Sequence, residues 1–327
     1  MKKALVYILS AVLAVALAAS IGGCAVPSGG SSKIQIVTTI FPLYDWVRSV
    51  AGDSENVEIT LLLDNGVDLH SFQPKAADIV KVSKCDMFVY VGGESDRWVT
   101  DVLGTAVNKD MTVINLLELL GSDAKAEELK EGMEAGHDGD EDDDHGHEAE
   151  NDEHVWLSLR NAVRFCAAIK EALCRLDSAN SSKYESNLKS YTEKLEQLDL
   201  DYCDAVTSAN RSTLLFGDRF PFRYLVDDYA LNYYAAFSGC SAESEASFET
   251  VVFLAKKIDE FELGAVIALE GSDGKIAETI KNTTAKKDQK ILYMNSLQSV
   301  TAKDIAEGVT YLGEMEKNLQ VLKEALG

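Results

Sequence analysis

From Lys33 the chain alternates short runs rich in β-branched residues with stretches whose apolar positions recur at three- and four-residue steps. Residues 34–40, 57–63, 86–91 and 112–114 have the composition of strands, and the third run ends in Gly92-Gly93. Helical patterns lie between them: Pro42 to Ala51, Pro74 to about Lys84, and a stretch from Ser95. Pro74 suits a first helical turn, where its missing N–H costs nothing. After Arg211 the alternation resumes, with predicted strands at 213–216, 232–237, 264–269 and 290–294 and a last helix at 303–326. Strands alternating with helices predict parallel sheets covered on both faces.

The middle breaks the rhythm. Residues 121–153 are acidic and lack apolar periodicity, which predicts a disordered loop. Two helical patterns follow, at 159–176 and 182–208. In the second, Tyr184, Leu188, Tyr191, Leu195, Leu198, Tyr202 and Val206 form one apolar stripe. That length suits a rigid spacer. The predicted fold class is therefore α/β: two parallel-sheet lobes, 33–178 and 210–327, joined by a long helix over 179–209. Ligands of open parallel sheets bind beyond the carboxyl ends of the strands, so facing lobes enclose a cleft there.

The first residues assign a compartment. Met1-Lys2-Lys3 followed by an apolar run to Ser20 reads as a signal peptide over 1–23. Cys24, preceded by small residues, resembles the lipidated cysteine of a bacterial lipobox, and 24–32 reads as a flexible tether. The expectation is an exported domain held to the membrane's outer face through an N-terminal lipid. A net charge of −23 disfavours nucleic acid as a partner and attracts cations. The other cysteines (Cys85, Cys166, Cys174, Cys203 and Cys240) are odd in number and contain no CxxC. They form neither a disulfide framework nor a zinc ribbon.

Histidine is the informative residue. Four of the five (His137, His145, His147 and His154) fall within 137–154, among ten carboxylates and no Lys or Arg. Imidazole and carboxylate together suit divalent transition metals. His70 lies one short loop beyond the second strand, at the carboxyl edge, and His154 precedes a helix. These two are the candidate ligands. The flexible loop histidines should each bind weakly, because ordering the loop costs entropy, and so gather metal rather than hold it.

The segments Gly66–Asp78 (GVDLHSFQPKAAD) and Asp152–Ser158 (DEHVWLS) resemble N-lobe signatures of zinc- and manganese-type solute-binding lipoproteins of ABC importers, the cluster A-I group with ZnuA-like and TroA-like branches. Thr38–Tyr44 and Gly92–Trp98 are similar to further segments of that group. The resemblance covers the mature chain. It implies one metal held between two lobes that close around it, delivered to an importer permease, with no enzymatic activity and a monomeric state. It also implies that His70 and His154 are ligands.

The second lobe departs from the family pattern. Gly217 stands where a His or Glu is usual, and Asn295 where an Asp is usual. Asp218, Glu243, Glu245 and Glu270 follow C-lobe strands and are candidate replacements, with Asp218 and Glu270 taken into the metal site. Such a carboxylate-rich set opens the possibility of Mn²⁺, while the histidine-rich loop favours Zn²⁺. An exported zinc hydrolase is the alternative of a different class, but no HExxH is present. An adhesin role is a third.

Overall fold

Two four-stranded parallel sheets organise the chain, seen in a computed structural model that describes residues 33–134, 150–241 and 245–327. Strands β1 (Ile34–Thr38), β2 (Val57–Leu61), β3 (Met87–Tyr90) and β4 (Thr112–Asn115) lie in the order β2-β1-β3-β4. Strands β5 (Thr213–Phe220), β6 (Asn232–Ser238), β7 (Ala265–Leu269) and β8 (Lys290–Met294) repeat that order as β6-β5-β7-β8. In each sheet the strand order reverses beside the first strand, which opens a crevice at the carboxyl edge.

The predicted spacer is a packed element. Helix Ser181–Ser208 buries Tyr184, Tyr191, Leu195, Leu198 and Tyr202. Asn187 donates to the carbonyl of Val50 at 3.0 Å, and Tyr202 donates to the carbonyl of Met315 in the C-terminal helix Tyr311–Leu326 at 2.7 Å. It therefore grips both halves. One buried apolar cluster runs through them, taking Ile36 and Phe88 from the first sheet and Phe216 and Ile267 from the second. Trp156 donates to the carbonyl of Ser296 at 2.7 Å, and Tyr311 donates to the carbonyl of Trp156 at 2.7 Å. A shared core with buried cross-lobe hydrogen bonds resists wide opening, because any hinge motion must expose it.

The acidic segment also departs from its predicted disorder at both ends. Residues 121–134 and 150–153 are ordered, while the loop histidines His137, His145 and His147 lie outside the described residues. Ala126 bridges Asn151, and Glu134 bridges Phe237 at the end of the second sheet. Lys125 pairs with Asp227 at 2.9 Å, and Glu128 pairs with Arg223. This arm crosses from the first lobe and straps the second.

Candidate metal centre

His70 sits in the single 3-10 turn Leu69–Ser71 that follows β2. Asp68 caps the turn, its carboxylate accepting the His70 backbone N–H at 3.0 Å. His154 precedes the 3-10 turn Val155–Leu157 and is 0% exposed. Asp152, itself 2% exposed, accepts the His154 backbone N–H at 2.8 Å and its Nδ1–H at 3.0 Å through one oxygen. That carboxylate holds the proton on Nδ1 and leaves the Nε2 lone pair free.

The loop after β3 does the same for His70. Its Nδ1 lies 2.8 Å from Ser95 Oγ and 3.5 Å from Glu153 Oε2. Ser95 in turn donates its backbone N–H to Glu153 at 2.9 Å. The buried Asp96 accepts the N–H groups of Val91 and Gly92, both at 3.0 Å, and ties the loop down. Burial pushes its carboxyl up to about 7. Gly93 has φ +82°, and a Cβ there would run into Glu153, so the turn needs glycine.

The two Nε2 atoms face each other at 3.2 Å. Burial first, then repulsion from His154, draws the His70 pKa down to about 4, so its ring is neutral at pH 7. With the proton of each ring on Nδ1, both Nε2 lone pairs aim at one point, and a cation between them would relieve their repulsion. At a Zn–N distance of about 2.0–2.1 Å and tetrahedral angles, two imidazole nitrogens stand about 3.3 Å apart. The pair has that spacing. Each Nδ1 also has an acceptor behind it, the arrangement that orients metal-bound imidazoles.

A third side chain able to donate to a metal comes from the second lobe. Cys240 follows β6, and its Sγ lies within 4.8 Å of the imidazole donors of His70 and His154, as they do of each other. Among the described residues no other set of three such donors meets that criterion. Burial, and then the carboxylates of Glu127, Asp152 and Glu153, raise the Cys240 thiol pKa. Sequence reasoning passed over this residue, although its place just past a C-lobe strand was a legible signal.

Asp218 and Glu270 are not in that group. Strand β5 runs to Phe220, past the predicted end at Phe216, with an irregularity between Phe216 and Arg219. Asp218 lies inside it and accepts the N–H of Leu269 at 3.1 Å and of Arg219 at 2.9 Å. Its carboxylate thus ties β5 to Leu269 of β7, beyond their Phe216–Ile267 pairing. Glu270 and Glu245 are exposed, and Glu243 lies outside the described residues. Gly217 is pressed on helix Lys275–Thr283; a Cβ would stand 2.6 Å from the Ala277 Cα. No ligand side chain fits there. Asn295 donates to Glu314 at 3.0 Å and accepts the Leu297 N–H at 2.8 Å. Cys24 lies outside the described residues, and among those described no helix is long and apolar enough to cross a membrane.

Residues 36–325 match the family model described as "Zinc-uptake complex component A periplasmic". The chain is 30% identical over 320 residues to the zinc-binding lipoprotein AdcA of Streptococcus pneumoniae, an alignment covering 97% of this chain and 60% of AdcA. It thus spans little more than half the length of that relative. It is 26% identical to the high-affinity zinc uptake system protein ZnuA of Bacillus subtilis, covering 90% of this chain and 88% of that one. The crystal structure of the Zn(II)-bound ZnuA-like domain of S. pneumoniae AdcA superimposes with a TM-score of 0.70 at 27% identity, covering 90% of this chain and 99% of the domain.

Proposed function

We propose, from the premise that the chain belongs to the periplasmic zinc-uptake complex component A family, that it captures Zn²⁺ outside the cytoplasm and hands it to an ABC importer permease. The observation that carries this reading is the pair of imidazole Nε2 atoms 3.2 Å apart, each backed by an acceptor on its Nδ1. Zinc is the cargo, and His70 and His154 are its N-lobe ligands. No nucleophile or general base is needed, since receptor chemistry consists of binding and release.

Capture would follow from the preset geometry. The neutral His70 ring presents its lone pair without first losing a proton, and Ser95, Glu153 and Asp152 hold the orientation of the two imidazoles. Release to the permease would require the second lobe to yield, against the buried core that the two halves share. The relatives named as zinc-binding lipoprotein and zinc uptake protein support the cargo, and the lipobox-like Cys24 supports a lipid anchor. A monomer suffices for this role.

The test is a competition titration of the mature, untagged, metal-free chain against a chromophoric chelator, with Zn²⁺ and Mn²⁺. One tight zinc site, lost in both His70→Ala and His154→Ala, is the expected result. Tight binding that survives both substitutions would remove these residues from the site. Tighter manganese than zinc binding would make the chain a manganese receptor.

A further inference from the structure

We infer that Cys240 supplies the C-lobe ligand of the cleft metal as a thiolate, giving a two-histidine, one-cysteine site that selects zinc over manganese. This rests on the reading of His70 and His154 as ligands. It assigns the donor that Gly217 and Asn295 no longer provide.

Three features place the sulfur. First, it shares one 4.8 Å sphere with both imidazoles. A tetrahedral zinc with Zn–N about 2.0–2.1 Å and Zn–S about 2.3 Å needs N···S distances of about 3.6 Å. Closing that gap takes at most about 1.2 Å, within reach of a side-chain rotation or a small lobe displacement. Second, the turn is shaped to reach the site. A Cβ on Gly239 would stand 2.9 Å from His154 Cε1 and 2.8 Å from the Phe220 carbonyl, so only glycine lets the backbone come this close. Third, the turn is clamped from both sides. The Cys240 N–H donates to Glu127 at 3.0 Å, from the strap. Arg219 donates to the Ser241 carbonyl at 3.3 Å and pairs with Asp68 at 2.9 Å, two residues before His70.

The alternative occupation of Cys240, a disulfide, has no partner among the described residues, where Cys85, Cys166, Cys174 and Cys203 are also free. A soft thiolate adds strongly to zinc affinity and little to manganese, which favours oxygen donors. The cross-lobe sulfur also makes one metal ion a bond between the lobes. Selectivity and closure then share a residue.

The test uses the full mature chain with His137, His145 and His147 replaced by alanine, so that only the cleft reports. Cobalt(II) is added as a spectroscopic probe, because thiolate ligation gives an intense near-ultraviolet charge-transfer band that nitrogen and oxygen ligands lack. The band should appear with one equivalent of cobalt and vanish in Cys240→Ser. That variant should lose zinc affinity by at least about a hundredfold, beyond the ten- to hundredfold cost of losing an outer partner of a ligand. Its manganese affinity should change by less than about fivefold. Thermal unfolding of the metal-free variant checks that it folds, and the wild-type cobalt spectrum needs no variant at all. A wild-type spectrum without the band, with zinc binding still lost in His154→Ala, overturns the cysteine and leaves the two histidines standing. Zinc binding indifferent to His70→Ala, His154→Ala and Cys240→Ser alike overturns the parent reading as well.

Discussion

Asp152 offers a measure of how much of the affinity comes from holding a ligand still. Its single oxygen accepts both N–H groups of His154, at 2.8 and 3.0 Å, in a setting that is 2% exposed. Asp152→Asn keeps an amide oxygen able to accept both bonds but removes the charge that makes the ring a better donor. Asp152→Ala removes the acceptor and leaves two buried donors unpaired, at about 1–3 kcal/mol each before the site relaxes. Loss of an outer partner of a metal-bound histidine costs about 10–100-fold in affinity. The asparagine variant should therefore fall near tenfold, about 1.4 kcal/mol, and the alanine variant near a hundredfold. Chelator competition gives the dissociation constants, and urea unfolding of the metal-free proteins separates affinity from folding. If Asp152→Ala binds zinc within about twofold of wild type, the imidazole is not oriented by this bond, and the assignment of Nε2 as the donor fails.

The remaining predictions concern pH, the strap and the second lobe. Burial holds His70 at about 4 in the folded protein against about 6.5 when unfolded, so between these values only the unfolded chain takes the proton. Metal-free stability should thus fall from pH 6.5 to pH 4 by up to about 3 kcal/mol on this account, and His70→Asn should lack that part of the decline in urea titrations. Excising 137–148 should leave the tight site within about tenfold while lowering zinc stoichiometry, because flexible loop sites are weak. Excising 124–134 as well should weaken the tight site further in the same titration, since Glu127 holds the Cys240 turn. Gly217→Ala should destabilise the protein by about 1–3 kcal/mol through its clash with Ala277, read as a lower urea midpoint.

Much of this architecture was written in periodicity. The parallel strands and the helix Ser181–Ser208 follow from alternating β-rich and 3.6-periodic segments, which local sequence encodes directly. The shared core was not legible, because which buried faces meet is a tertiary fact: nothing near Trp156 in sequence announces Ser296. His70 and His154 stood out because histidine is scarce and both lie at element edges. Asp218 sits inside strand β5, which continues through an irregularity that sequence does not mark, and its carboxylate accepts two backbone N–H groups. The approach of Cys240 to the two histidines was not legible, since in sequence it is one of several cysteines, and buried ones such as Cys166 serve as small apolar residues. The strap was hidden by composition. Its acidic residues read as solvated, yet Glu127, Glu128 and Glu134 each meet a partner on the second lobe.

X-ray absorption at the zinc edge reads the ligands themselves, on the one-zinc complex of the chain with His137, His145 and His147 replaced by alanine. Two imidazole nitrogens are expected at about 2.0–2.1 Å, with the outer-ring scattering that marks histidine. A coordination shell of oxygen atoms without imidazole scattering would contradict it.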